Sequence, residues 1–159
     1  MNYLEIATKT KDLIPVEEYR EVMSQEECEY CHFSFYGFLN VYESVTHFVP
    51  KNRIIIDFGC YLAFQSYMFA DYRKYIGVDV VNMKRFTPEN AEHYVCTIQE
   101  FIKNHPELAN EDVFAICSYV PDDKAREMVK STFKDCLVFY PVSGDVRVNP
   151  NFQNIKEKS

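Results

Sequence analysis

The sequence predicts an α/β fold in which about five mainly parallel strands are flanked by helices. Apolar runs of strand length alternate with segments of helical spacing across residues 53–140. Most of these runs are continuously apolar, which is typical of strands buried on both faces of a parallel sheet. Because parallel strands are joined by right-handed crossovers, helices are expected to pack against the sheet.

Five segments are predicted as strands from their apolar residues. Three consecutive isoleucines follow Arg53, and a second run ends at Asp79. The segment that begins at His93 is weaker, while the runs before Ser118 and Pro141 are continuous. The predicted strands comprise residues 54–56, 75–79, 93–96, 113–117 and 136–140.

Helices are predicted where helical spacing follows a start signal. Pro15 is placed to open a first helix, and the capping box Ser24–Glu27 opens a long one that ends before Pro50. Apolar residues three and four positions apart form one stripe along this long helix. The predicted helices cover residues 15–22, 24–49, 62–72, a short segment from 87, 97–105 and 121–133.

The 159 residues are predicted to form a single domain, because one core can bury most of a chain of this length. Residues 1–50 form a helical cap, residues 51–141 the α/β core, and residues 142–159 an edge segment with a polar tail. The last part can supply one short strand at most, around Arg147. A bare sheet edge favours a partner, so a homodimer through that edge is one expected assembly.

Charge and composition argue against several classes of function. The net charge of −7 argues against a nucleic-acid-binding face. No apolar run reaches the roughly 18 residues of a membrane span, and the N-terminus lacks the order of a signal peptide. The protein is therefore expected to be cytoplasmic with its six cysteines reduced. Four basic residues are interpreted as a solvated rim: Arg73, Lys74, Lys84 and Arg85.

One short motif has two chemical interpretations and a structural one. Cys28-Glu29-Tyr30-Cys31-His32 matches a haem-attachment pattern and also half of a zinc site. Haem attachment requires export, and zinc requires a second close pair of ligands. Both thiols lie on the apolar stripe of the long helix, where cysteine behaves as a small hydrophobe. The core interpretation is favoured, and no metal is predicted.

The segment after the first strand resembles the S-adenosylmethionine-dependent methyltransferase superfamily. The motif residues are Asp57-Phe58-Gly59-Cys60-Tyr61-Leu62-Ala63, followed by Gly77-Val78-Asp79 at the end of the second strand. In that family the first motif runs hydrophobic-hydrophobic-Asp-x-Gly-x-Gly-x-Gly. The resemblance spans residues 53–140 and implies a Rossmann-like methyltransferase-type sheet with S-adenosylmethionine as cofactor.

The resemblance also implies which residues contact the cofactor. The turn of Asp57, Gly59, Cys60 and Tyr61 would cradle its methionine part. Asp79 would accept hydrogen bonds from the ribose hydroxyls, because a carboxylate suits two vicinal hydroxyls at the carboxyl edge of a sheet. Val80 would flank the adenine. Thr97 stands at the position where the family often has an acid that holds the adenine amine, and Gln99 is the alternative for that role.

Several positions depart from the family's pattern. Tyr61 and Ala63 replace the second and third glycines, and Tyr61 either blocks the methionine pocket or stacks within it. After the fourth strand, Ser118-Tyr119-Val120-Pro121 matches only loosely the Asn/Asp-Pro-Pro-Tyr motif of amine-methylating members. Tyr119 and His93 are acid–base candidates that are equally interpretable as structural residues, so the catalytic residues stay unassigned.

Two hypotheses for function follow. In the first, the protein binds S-adenosylmethionine and transfers its methyl group to a small molecule or a protein. Such chemistry depends mainly on alignment of donor and acceptor, so missing catalytic side chains do not exclude it. In the second, the chain is a catalytically inactive pseudoenzyme that kept the methyltransferase fold as a protein-interaction module.

Overall fold

A central parallel sheet organises the part of the chain that the computed structural model describes, which is residues 41–82, Arg85, residues 87–140 and the backbone of residues 145–148. Its strands are β1 (Ile54–Phe58), β2 (Lys74–Asp79), β3 (Ala91–Val95), β4 (Val113–Ser118), β5 (Cys136–Tyr140) and β6 (Asp145–Val148). They lie in the order β3-β2-β1-β4-β5-β6. The first five strands are parallel, and β6 pairs antiparallel with β5.

The predicted α/β class and all five predicted parallel strands are confirmed. β1 is longer than expected, because Asp57 and Phe58 continue the strand that the three isoleucines begin. All five residues of β1 are buried, since it lies between β2 and β4 with layers on both faces. β6 is the one short strand expected from the C-terminal segment, and it covers the edge of β5.

Three α-helices and two 310 helices accompany the sheet in the described ranges. They are α1 (41–46), α2 (Ile98–Asn104) and α3 (Asp123–Thr132), with 310 helices at Phe64–Phe69 and Pro106–Asn110. The Thr97 side chain accepts a hydrogen bond from the Glu100 N–H at the start of α2. Asp122 caps α3 in the same way. The helix predicted from Thr97 begins at that cap, whereas α3 begins two residues after the predicted start at Pro121. Both caps satisfy backbone N–H groups that have no partner inside the helix.

Two predicted helices are wrong. The segment 62–72 forms a 310 helix only at Phe64–Phe69, because Ala63 at its N-cap holds a left-handed backbone that an α-helix cannot continue through. No helix begins at Thr87. Instead residues 89–90 turn directly into β3, and the Asn90 amide donates to two carbonyl groups of the preceding crossover.

Most of the predicted helical cap lies outside the described residues. At the described end of the predicted long helix, the three stripe residues Tyr42, Val45 and Val49 are buried as expected, and the rest of the stripe lies outside the described residues. The helix ends in a turn before Pro50, where the Val49 N–H donates to the Val45 carbonyl group. No helix in the described ranges is long and apolar enough to cross a membrane.

The strands divide their side chains between two cores. Ile54, Ile56 and Phe58 of β1 face the core beneath α2 and α3. Ile55 faces the second core, which lies beneath α1 and the first 310 helix. Because side chains alternate along a strand, Asp57 points to this second face. A carboxylate therefore enters the core that lies beneath α1 and the first 310 helix.

Candidate functional site

The candidate site lies at the carboxyl edge of the sheet, where the strand order reverses. β2 and β3 follow β1 on one side, whereas β4 and β5 lie on the other. The carboxyl ends of β1 and β4 are neighbours, with Phe58 paired to Cys117. Open α/β sheets bind their ligands in the crevice at such a switch point. The turn that follows β1 lies at this position.

That turn has a left-handed backbone at every second residue. The φ angles are 80° at Gly59, 50° at Tyr61 and 61° at Ala63. These are the three positions at which the methyltransferase motif has glycine. Residues other than glycine seldom adopt this conformation, and each pays about 1–2 kcal/mol for it. The turn therefore has a backbone suited to glycine at three positions, of which only residue 59 is glycine.

Close packing explains the two glycines that do occur in the motif segments. A β-carbon on Gly59 would lie 2.9 Å from the Val120 side chain and 3.4 Å from the Ser118 carbonyl oxygen. One on Gly77 would lie 2.9 Å from the Cys60 sulfur. Gly59 thus lets the turn pack against the segment after β4. Gly77 makes room for the Cys60 side chain, which points into the protein instead of toward the crevice.

Asp57 is fully buried and is bound by three side chains. The Tyr42 hydroxyl donates to its Oδ1 over 2.9 Å, and the Gln65 amide donates to its Oδ2 over 2.8 Å. The Tyr75 hydroxyl donates to Oδ2 as well. These donors come from α1, the 310 helix and β2. Asp57 therefore connects the described end of the cap to the turn and the sheet.

Burial controls the protonation of this network. It raises the pKa of Asp57 to about 6, since desolvation of the charge outweighs the stabilisation from the three hydrogen bonds. Burial, followed by the nearby carboxylate, also raises the pKa of Tyr42 and Tyr75 well above the usual range. Both phenols consequently remain donors to Asp57 across the neutral range.

Asp79 ends β2 with both carboxylate oxygens oriented by backbone groups. Oδ2 accepts from the Tyr61 N–H and Oδ1 from the Val81 N–H, each over 2.9 Å. The turn after β1 is also bonded to β2 through the Val78 carbonyl group, which accepts from the Gly59 and Cys60 N–H groups over 2.7 and 3.2 Å. Asp79 and the turn therefore form one rigid unit at the crevice.

Exposed apolar side chains gather at the same edge. Val80 is 65% exposed, and Val81 follows it. Val95 ends β3, and Tyr119 follows β4 with 45% of its surface exposed. Four of the five large apolar residues that are exposed in the described ranges thus lie at the carboxyl ends of strands. Apolar groups grouped in this way offer a surface for a planar ligand.

The remaining residues that the sequence singles out for the site lie in different parts of the fold. The Thr97 hydroxyl caps α2, and the Gln99 amide donates to the Asp122 carboxylate over 3.2 Å. His93 lies in the middle of the exposed edge strand β3, two strands away from β1. Tyr119 has a φ of 58° and packs edge-on against Phe139. Of the two acid–base candidates, Tyr119 lies beside the switch point.

Arg85 was misinterpreted from the sequence as part of a solvated rim. Its side chain is only 8% exposed and donates to the Val81 carbonyl oxygen over 2.5 Å. Its positive charge also lowers the pKa of the Cys60 thiol, although burial of that thiol has the larger effect and raises the pKa. No local sequence signal distinguishes Arg85 from the exposed Arg73, because its burial depends on the turn that follows β1.

No protein-family model matches this chain, and a search of curated proteins found no match. Cys28, Cys31 and His32 lie outside the described residues. The four cysteines within them carry free thiols. The function is therefore inferred from the geometry of the carboxyl edge.

Replacement of Ala63 by glycine tests the strain in the turn. We expect Ala63→Gly to leave the free energy of unfolding unchanged or to raise it by up to about 1 kcal/mol, because relief of a left-handed alanine outweighs one buried methyl group. The matched control is Ala70→Gly, an exposed right-handed alanine at the end of the same 310 helix. Ala70→Gly should lower the free energy of unfolding by about 0.5–1 kcal/mol. If urea denaturation showed that Ala63→Gly and Ala70→Gly lower the free energy of unfolding equally, the backbone of Ala63 would not be strained.

The pH dependence of stability tests the Asp57 network. Since the pKa of the folded state is raised to about 6 from 3.8, folding takes up a proton between these values. The raised pKa of Asp57 therefore adds to the free energy of unfolding at low pH. This contribution is fully present below pH 3.8 and is lost as the pH rises through about 6. It amounts to about 3 kcal/mol. Urea denaturation should show the stability difference between wild type and Asp57→Asn falling across this window and then levelling off. A constant difference would refute the raised pKa.

Proposed function

We propose that this protein has a Rossmann-like methyltransferase-type domain that binds S-adenosylmethionine and transfers its methyl group to a small molecule or a protein. The observation that carries the proposal is the left-handed backbone at residues 59, 61 and 63. Three such residues in alternation are costly, so their coincidence with the glycine positions of the motif is specific. The antiparallel strand beside β5 agrees with the antiparallel sheet edge of that family.

The carboxylate of Asp79 is suited to a ribose. Each of its oxygens receives one backbone N–H, which fixes the plane of the group before a ligand arrives. A carboxylate oxygen can accept a second hydrogen bond, so two vicinal hydroxyls could bind without displacing the turn. Val80, which follows directly, offers an exposed apolar side chain to the adenine.

Methyl transfer requires mainly that donor and acceptor be held in line. The acceptor's lone pair would form a bond to the methyl carbon while the carbon–sulfur bond breaks, and S-adenosylhomocysteine would leave as a neutral thioether. The protein would contribute position and exclusion of water. Tyr119 is an exposed side chain that directly follows β4 at the switch point. It is assigned to the acceptor side of the crevice, and no catalytic residue is assigned.

One observation favours the second function, a catalytically inactive interaction module. The acidic residue of the first motif, Asp57, is fully buried and bonded to Tyr42, Gln65 and Tyr75. Its role in the described structure is therefore to hold the fold together. This role needs no cofactor, so the motif could persist in a protein that has lost cofactor binding.

Calorimetric titration with S-adenosylmethionine and S-adenosylhomocysteine separates the two functions. We expect micromolar binding of both ligands to the wild type. Asp79→Asn should weaken it by about tenfold or more, because one charge-assisted acceptor is lost. The matched control is Asp71→Asn, an exposed aspartate that precedes β2 at the opposite edge and pairs with Lys51; it should bind like the wild type. Absence of heat and of a thermal shift at millimolar ligand would reject cofactor binding and favour the interaction module.

The Tyr61 side chain is the second test of the site. It is half-buried, and its backbone already has the conformation of a glycine. If the ring blocks the methionine pocket, Tyr61→Gly should bind S-adenosylhomocysteine more tightly than the wild type, with less strain in the turn. Tyr61→Phe keeps the ring and should leave the affinity unchanged. Unchanged or weaker binding by Tyr61→Gly would show that the ring does not obstruct the site.

A further inference from the structure

The end of α1 encloses the carboxylate of Asp57 on one face of the sheet. Tyr42 has no exposure to solvent, and its hydroxyl donates to Asp57 Oδ1 over 2.9 Å. Val45 and Val49 lie on the same stripe and are buried in the core that contains Ile55 of β1. Because side chains three residues apart share one face of a helix, α1 presents this stripe to the sheet. Displacement of α1 would therefore bring Asp57 Oδ1 into contact with water.

α1 is attached to the sheet in a different way from the strands. The strands are joined to one another by backbone hydrogen bonds, whereas α1 contacts the sheet through side chains such as Tyr42. At the end of this segment the Val49 carbonyl oxygen accepts from the Tyr72 hydroxyl over 2.7 Å. Segments attached through side chains open locally at a lower free energy than the strands of a sheet. The Tyr72 bond marks the point about which α1 would open.

Ionisation of Asp57 opposes its enclosure by α1. Desolvation is the largest effect on this carboxyl and raises its pKa to about 6 from 3.8, although three hydrogen bonds stabilise the charge. A carboxylate that reaches water regains its hydration, so its pKa falls toward the ordinary value. Opening of α1 would then release a proton. The closed position of α1 is therefore favoured at low pH and becomes less favoured as the pH rises through about 6.

The groups around the carboxyl leave Asp57 as the one that changes charge in this range. Burial raises the pKa of Tyr42, Tyr75 and Cys60 above the usual range, so all three stay neutral. The charge of Asp79 raises the pKa of Asp57 further. The described titratable or polar groups around the pair of Asp57 and Tyr42 are Gln65, Tyr75, Asp79, Cys60 and Cys117.

We propose that α1 is a proton-controlled cover over Asp57, which closes on the sheet when Asp57 is neutral and opens more readily when Asp57 is ionised. The proposal rests on the enclosure of the carboxylate by α1 and on its contact with Tyr42. It requires no ligand at the carboxyl edge, so it is independent of the proposed function. Gln65 donates to both Asp57 and the Cys60 carbonyl oxygen. The turn of the candidate site is thus bonded to the group that controls the cover.

Amide hydrogen exchange at residues 42–49, corrected for the intrinsic exchange rate at each pH, tests the cover. We expect protection of these amides to fall about tenfold between about pH 5 and about pH 7.5, because opening releases a proton. Protection should be lower in α1 than in β4 throughout, since the central strands exchange through global unfolding. Asp57→Asn cannot ionise, so it should abolish the pH dependence in α1.

Two buried tyrosines of the same core give matched variants. Tyr42→Phe removes a hydrogen bond that stabilises ionised Asp57, so the midpoint of the fall should move to higher pH by about one unit. Tyr72→Phe removes the bond to Val49 and should lower protection equally at every pH. Because histidines change charge in the same range, His47→Gln controls for the exposed imidazole that follows α1. It should leave the pH dependence unchanged.

A fall in protection that Asp57→Asn abolishes supports the cover. Equal protection in α1 and β4 would mean that α1 opens only when the protein unfolds, and protection independent of pH would mean that opening leaves Asp57 enclosed. A fall that persists in Asp57→Asn would belong to another group. Each of these three results overturns the proposal. If Asp57→Asn fails to fold, the tyrosine variants decide, and equal midpoints for Tyr42→Phe and Tyr72→Phe overturn it.

Discussion

The carboxylate of Asp57 is the constraint on which the rest of the described structure depends. Donors from α1, the first 310 helix and β2 meet at this one group, which has no exposure to solvent. A buried carboxylate is tolerated only when its hydrogen-bonding capacity is satisfied. The positions of the cap, the turn and the second strand are therefore coupled, because displacement of any one would leave part of the charge without a partner.

The coupling reaches the candidate site through Gln65. Its amide donates to Asp57 and also to the Cys60 carbonyl oxygen, over 2.8 and 2.9 Å. Hydrogen bonds from Gln65 to the Cys60 carbonyl oxygen and from the Tyr61 N–H to Asp79 thus hold the turn in place. Such support explains how Tyr61 and Ala63 can hold left-handed conformations, because strained residues persist only where their surroundings fix them.

Charge is distributed unevenly at the carboxyl edge of a chain whose net charge is −7. Asp57 is buried and raised in pKa to about 6, whereas Asp79 lies at the surface with its oxygens oriented. Arg85 brings the opposite charge to the same turn. Charges of both signs therefore lie near the turn that follows β1.

The described fold and site show which features local sequence can specify. The α/β class, the five parallel strands, the helix that follows Thr97 and the strand ends at Asp79 and Tyr140 were predictable. Continuous apolar runs and capping side chains act within a few residues of chain. The two helices that were wrong, at 62–72 and after Thr87, fail where distant contacts override spacing. The sequence placed Asp57 in the turn, whereas it lies within β1. Its three partners were not predictable, since they come from three elements brought together only by packing.

The sequence by itself therefore determined the order of the elements and the position of the acids at the carboxyl edge, because both follow from hydrophobic pattern and strand period. The tertiary structure alone decided that Asp57 is enclosed, that Arg85 is buried and that residues 61 and 63 adopt the backbone of glycine. Each of these depends on contacts between segments far apart in the chain, where the free energy of burial and hydrogen bonding exceeds any local preference.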